Sequence, residues 1–116
     1  MARYEATVHG NIKELKNYIL KNRTRLGETI TVEEESEGTV DGVGYYVAGL
    51  ERYSVLGQSR VSLNLMMLEY SEGVRVVATS LGGSTAMFVK INHWGEDNFL
   101  SAFVTLLKEY ERNSSR

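Results

Sequence analysis

The sequence predicts an α+β fold in which one antiparallel sheet of about six strands carries two helices on one face. Most of the chain between Thr29 and Asn92 alternates apolar and polar residues with the period of a strand. Short turns containing Gly, Asn, Asp or Ser separate these segments. The segment 94–112 instead carries apolar residues at helical spacing on a broad face. Such a helix requires a sheet to pack against, and the predicted order is β-α-β-β-β-β-β-α.

Length and composition limit the classes of function. A chain of 116 residues predicts a single domain over residues 1–116 with a core of its own. The net charge of −2 argues against a nucleic-acid partner. The absence of cysteine excludes disulfides, thiol catalysis and cysteine-ligated zinc. The sequence shows neither a signal peptide nor a membrane span, so we expect a cytoplasmic protein of bacterial type with no membrane partner.

The first two elements are a short strand and a helix. Tyr4 to Val8 alternates as a strand, and Asn11 with Glu14 three residues later indicates the capped start of a helix. Gly27 is predicted to be the first residue after the end of this helix. The expected buried stripe of this helix consists of Ile12, Leu15, Tyr18, Ile19 and Leu26.

Five strands are predicted to follow, and then the long helix. The strands are expected at residues 29–35, 43–56, 60–70, 74–81 and 85–92. Gly49 indicates a bend or bulge in the second of these. Glu33 to Glu35 is interpreted as a solvated strand end, and Gly82-Gly83-Ser84 as a hairpin turn rather than a phosphate-binding loop. The helix is predicted over Trp94 to Arg112.

Several strands carry adjacent large apolar residues near their middle. These runs are Tyr45-Tyr46, Met66-Met67-Leu68, Val76-Val77 and Met87-Phe88-Val89. Since neighbours in a strand point to opposite faces, both faces of the sheet are predicted to be apolar there. Two helices on one face leave the other uncovered. Either the sheet curls around a pocket or its outer face meets a second copy, and we favour the second copy.

Aromatic and methionine side chains are the candidates for a ligand-binding or interface role. They are Tyr45, Tyr46, Tyr53, Met66, Tyr70, Met87, His93 and Trp94. Ordinary packing within the sheet is an equally weighted interpretation, because aromatic residues are common in strands. No catalytic residue, metal or cofactor is assigned.

His93 suggests a catalytic or metal-binding alternative, because Glu96 and Asp97 follow it closely. Zinc sites need three or four protein ligands, and His9 is the one other histidine. Ser84 lies outside any G-x-S-x-G pattern. We therefore favour a structural interpretation in which Asp97 or Asn92 caps the final helix.

Charges are segregated along the chain. The first helix carries cations on its exposed side, and an acidic run follows in the next strand. A solvated face is the favoured interpretation of the basic helix. The acidic run could also pair with this helix in a neighbouring copy.

The order of elements resembles the helix-grip fold of the START and Bet v 1 superfamily, although that fold has a helical pair and seven strands. The resemblance implies a curved antiparallel sheet around a C-terminal helix, with an apolar ligand cavity between them. The segment GGSTAMFVKINHWGEDNF is also similar to small bacterial families of unassigned function.

The leading functional hypothesis is a non-enzymatic protein that forms a homodimer through an apolar sheet face or binds a ligand. The alternative is a helix-grip carrier or sensor of a small apolar molecule. The third is an enzyme that uses His93 and Glu96.

Overall fold

A computed structural model of the chain describes the backbone of residues 2–27, 29–54, 59–82 and 89–114 and the side chains of residues 3–27, 29–53, 60–81 and 99–113. The elements in chain order are β1 (Ala2–Val8), α1 (Ile12–Lys21), a 3₁₀ helix (Arg23–Leu26), β2 (Ile30–Val40), β3 (Val43–Ser54), β4 (Ser59–Tyr70), β5 (Gly73–Gly82) and α2 (Val89–Ser114). The α+β class with an antiparallel sheet and two helices is confirmed.

The described strands form one sheet in the order β1-β5-β4-β3-β2, and every pair is antiparallel. Consecutive strands from β2 to β5 lie side by side. The β2–β3 turn consists of Asp41 and Gly42, both at positive φ (51° and 80°), as a two-residue type I′ hairpin requires. The segment containing α1 connects the two edges of the sheet, since β1 pairs with β5 and β2 pairs with β3.

The predicted sixth strand is not found in the part of the chain that the structure describes. Residues 85–88 lie outside that part, and residues 89–92 belong to α2. β5 is already paired with β4 on one side and β1 on the other, so a strand following β5 has no free edge beside it. Because α2 begins at Val89, Asn92 and Asp97 lie inside the helix and neither caps its start.

The acidic strand is longer than predicted. β2 continues through the glutamates to Val40, rather than ending at Glu35. Its register with β3 shifts between Val32 and Glu34, which places Glu33 in a bulge. The irregularity lies opposite Gly49, close to the predicted position, but the extra residue belongs to β2.

The start of α1 is as predicted, but its end is not. The Asn11 side chain accepts a hydrogen bond from the Glu14 backbone N–H at 2.8 Å, which confirms the N-cap. The helix ends at Lys21 instead of running to Gly27. Asn22 follows the last helical residue, and its backbone N–H and side-chain amide both donate to the Tyr18 carbonyl, at 3.1 and 2.8 Å.

The core lies between the inner face of the sheet and the two helices. α2 packs on β5, β1 and β4, while α1 packs on β3 and β4. The fully buried residues of this layer include Leu15, Ile19, Leu63, Leu65, Met67, Phe99, Phe103 and Leu106. No helix in the described ranges combines the length and the apolar character needed to cross a membrane.

Candidate functional site

The two faces of the sheet differ sharply in burial. Met67 points to the helices and is 0% exposed, whereas its neighbour Met66 points away and is 37% exposed. Tyr46 is buried on the inner face, and Tyr45 lies on the outer face. The outer face is therefore apolar at its centre, in agreement with the alternation that the adjacent apolar pairs predicted.

The outer apolar patch, as we name it, extends over β2, β3, β4 and β5. Register places Val47, Met66 and Val77 side by side across three strands, with Tyr45 beside Leu68 in the next row. Val40 at 63% and Val47 at 45% are the most exposed large apolar residues described. The patch consists of Val40, Val43, Tyr45, Val47, Met66, Leu68, Tyr70 and Val77.

A polar network borders the patch on the β1 side. The Tyr70 and Thr7 hydroxyls are hydrogen-bonded at 3.0 Å, and Arg75 donates to the Thr7 hydroxyl at 3.4 Å. Arg75 also pairs with Glu5 at 3.0 Å, and Arg3 lies 3.4 Å from the same carboxylate. This network orients the ring of Tyr70 at the border, with its hydroxyl towards the polar side.

Another polar border lies at the far end of β3 and β4. Arg60 and Glu51 form an ion pair at 3.5 Å. Between this border and the patch, Gly49 leaves a recess of about 260 Å³ beside Val47 and Asn64. A Cβ on Gly49 would meet only the Asn64 side-chain oxygen, at 4.0 Å, so the recess is open. An apolar centre with polar borders is the usual arrangement of a protein interface.

Tyr46 has a different environment, on the inner face beneath α1. Its hydroxyl donates to Glu35 at 2.8 Å, and the Lys16 ammonium lies 5.2 Å from the centre of its ring. Lys16 also pairs with Glu37 at 2.7 Å, so one cation of α1 meets the acidic strand within the same chain. Burial, followed by the hydrogen bond to Glu35 and the nearby carboxylate charges, raises the pKa of Tyr46.

The structure places the predicted site residues in four different ways. Tyr45, Tyr53, Met66 and Tyr70 share the outer face, while Tyr46 lies on the inner face. Met87 lies outside the described residues, as does Ser84. His93, Trp94 and Glu96 belong to α2, but their side chains are outside the described part of the chain. The prediction of a ligand or interface role for these residues is not tested by these placements.

The sequence reasoning missed three residues that matter for these surfaces. Val40 and Val47 belong to the patch, and the period of two from Tyr45 would have identified Val47. Arg52 is an inward-facing cation whose guanidinium lies 5.1 Å from the centre of the Phe99 ring and donates to the Leu26 carbonyl at 3.4 Å. Burial lowers the pKa of Arg52. No group of three or more potential metal ligands occurs within the described residues.

Comparison with known families identifies one match. The model of a family of unknown function, DUF6054, matches residues 1–111, which include all five described strands and most of α2. The chain belongs to this family. The DUF6054 match confirms the prediction of an uncharacterised domain family, while the resemblance to the START and Bet v 1 superfamily is not confirmed by it. The comparison with curated proteins found no match.

Proposed function

We propose that this protein is a non-enzymatic homodimer whose subunits meet through the outer apolar patch. The observation that carries the proposal is the exposure of Val47, Met66 and Val40 in one continuous area of sheet. Large contiguous apolar areas are unusual on monomeric soluble proteins, because their contact with water is unfavourable. When the same area of a second subunit covers it, the unfavourable contact with water is removed from both subunits.

The dimensions of the sheet suit a dimer. Five strands spaced by about 4.8 Å give a width of about 24 Å, and ten residues at about 3.3 Å give a length of about 33 Å. The whole outer face, polar borders included, is therefore at most roughly 800 Å² per subunit, which is comparable to the contribution of one partner to an interface of standard size. β3, β4 and β5 have 12, 12 and 10 residues, so the central strands reach this length.

The charges at the borders also suit self-association. A two-fold dimer brings the same surface of each subunit together, so a face with excess charge of one sign would repel itself. Here Arg75 and Arg3 lie against Glu5, and Arg60 lies against Glu51. The borders therefore carry both signs, and most of the charge is already paired within each subunit.

A helix-grip carrier of a small apolar molecule remains the alternative, and it would place the ligand between the sheet and α2. Phe99, Phe103 and Leu106 are at most 1% exposed and pack in one cluster with the inner face of the sheet. Side chains thus occupy the space at this part of α2, which favours the dimer over the carrier.

Analytical ultracentrifugation of Met66→Lys tests the proposal. We expect the wild-type chain to sediment as a dimer at tens of micromolar and Met66→Lys to sediment as a monomer, because a buried unpaired ammonium is costly. Thr105→Lys adds the same charge at an exposed position of α2 and is the matched control. A wild-type monomer at this concentration, or a dimer that persists in both Met66→Lys and Val47→Lys, would contradict the proposal.

A further inference from the structure

A cleft of about 480 Å³ opens on the helix-bearing side, between α1 and the β2–β3 hairpin. Its floor is a row of the inner face in which Thr39, Gly44 and Glu69 are paired across three strands. Gly44 contributes only backbone there. The position of a Cβ on Gly44 is 3.7 Å from Glu69 Oε1 and 3.7 Å from Ile12 Cγ2, so a carboxylate and a methyl group flank the bare floor.

The inner end of the cleft is closed by polar side chains that are already bonded to one another. Lys16 pairs with Glu37 at 2.7 Å and covers the ring of Tyr46, whose hydroxyl is held by Glu35. These side chains come from α1, β2 and β3, so they tie the wall of the cleft to its floor. This end gives the cleft a fixed shape, and each of its charged groups already has a partner within the chain.

Two charged groups of opposite sign remain at the cleft. Glu69 lies on the floor with its carboxylate beside Gly44, and Lys13 lines the α1 wall. Within the described residues neither side chain makes a hydrogen bond or an ion pair. A dication would be repelled by the positive charge of Lys13, and a dianion would be repelled by the negative charge of Glu69. A molecule with one charge of each sign can instead pair with both residues.

We propose that this cleft binds a small zwitterion with the chemistry of a free amino acid, whose ammonium pairs with Glu69 and whose carboxylate pairs with Lys13. The Ile12 methyl group beside the floor gives the connecting methylene groups an apolar contact. The volume lies near the lower end of the range for small-molecule sites, which suits a compact ligand. The floor of the cleft lies on the opposite side of the sheet from the outer apolar patch, although Tyr45 lines the cleft as well as belonging to the patch. The two charged groups, Lys13 and Glu69, are not part of the patch, so the proposal does not depend on dimerisation.

Amide chemical-shift titration by NMR with glycine, beta-alanine, gamma-aminobutyrate and epsilon-aminocaproate tests the proposal, because these zwitterions carry the same two charges on methylene chains of increasing length. We expect saturable shifts at Lys13, Gly44 and Glu69 that are largest for one member of the series. Butylamine and butyrate each carry one of the two charges and should bind at least about tenfold more weakly, since a charge-assisted contact is lost.

Glu69→Gln and Lys13→Gln should each weaken binding of the preferred zwitterion by about tenfold or more. Glu72→Gln in the neighbouring turn and Lys108→Gln on α2 remove the same charges outside the cleft and should leave the affinity unchanged. Absence of saturable shifts for the whole series would overturn the proposal. So would equal binding of butylamine, or an unchanged affinity in Glu69→Gln.

Discussion

The inner and outer faces of the sheet are built from neighbouring residues of the same type but have opposite environments. Met67 and Val76 are completely buried under the helices, whereas Met66 is 37% exposed and Val77 is half-buried on the other side. Tyr46 and Tyr45 differ in the same way. Residue type alone therefore does not determine burial here. Burial depends on which face of the sheet the side chain points to, and this face alternates from one residue to the next along the strand.

The two faces differ in what covers them. α1 and α2 supply Leu15, Ile19, Phe99 and Phe103 to the inner face, and these residues complete a continuous core. Among the residues that the structure describes, the outer face has only its own side chains and the polar borders formed around Arg75 and Arg60. Burial of a large apolar side chain stabilises a fold by about 1.5–3 kcal/mol, so the two faces should contribute very unequally to the stability of one subunit.

The largest expected effect is the difference between alanine substitutions at the two methionines. We expect Met67→Ala to lower the free energy of unfolding by about 2–5 kcal/mol, because it removes buried methylene groups and leaves a cavity. Met66→Ala should cost less than about 1 kcal/mol in the monomer, since its side chain keeps substantial contact with water. Urea denaturation measures both values.

Dimerisation would sharpen this comparison. If the outer apolar patch is covered by a second copy, the cost of Met66→Ala should rise with protein concentration, while the cost of Met67→Ala should not. Measuring both variants at low and high concentration separates the two contributions. Equal costs for the two variants at low concentration would show that the faces are not as different as their exposure indicates.

The two tyrosines give an intermediate effect. Tyr46→Phe removes the hydrogen bond to Glu35 and should cost about 1 kcal/mol near neutral pH. Tyr45→Phe is the matched control on the outer face and should be nearly neutral. Urea denaturation of both variants near pH 7 measures this difference, and an equal cost for both would contradict it.

The Tyr46 comparison also predicts a pH dependence. Because the pKa of Tyr46 is raised in the folded chain, its contribution to stability is fully present below the ordinary tyrosine value of about 10 and is lost as pH rises above it. The deficit of Tyr46→Phe relative to wild type should therefore shrink above this pH. A deficit that stays constant from neutral to strongly alkaline pH would contradict the assignment.

Strand alternation predicted much of this organisation from sequence alone. The pairs Tyr45-Tyr46, Met66-Met67 and Val76-Val77 were enough to predict two apolar faces, because side-chain direction in a strand is fixed by covalent geometry. The N-cap at Asn11 was predictable for a similar reason, since the interaction of its side chain with the Glu14 N–H is local. These features need no information from distant parts of the chain.

The incorrect prediction of a sixth strand involved long-range pairing. Val89 to Asn92 has β-branched residues suited to a strand, but β1 occupies the edge of β5 that such a strand would need. The position of β1 is set by contacts between residues 66 to 78 positions apart, which local patterns do not reveal. The cleft was missed for the same reason, because Lys13 and Glu69 line one cleft only through the packing of α1 on the sheet.

The smallest expected effect concerns a polar contact on the helix-bearing side. Glu109 of α2 forms an ion pair with Arg25 of the 3₁₀ helix and accepts a hydrogen bond from Tyr18 at 3.3 Å. The hydrogen bond from Arg25 is the main cause that lowers the pKa of Glu109. A lowered pKa contributes stability above the ordinary glutamate value, and this contribution is lost as pH falls through the folded-state value.

Glu109→Gln should therefore show a small decrease in Tm near neutral pH that disappears in acid, with Glu111→Gln as the neighbouring control. Because the pair is solvent-exposed, the decrease should be much smaller than that of Met67→Ala. A decrease of equal size at neutral and acidic pH would instead indicate lost packing, and thermal denaturation across this pH range distinguishes the two.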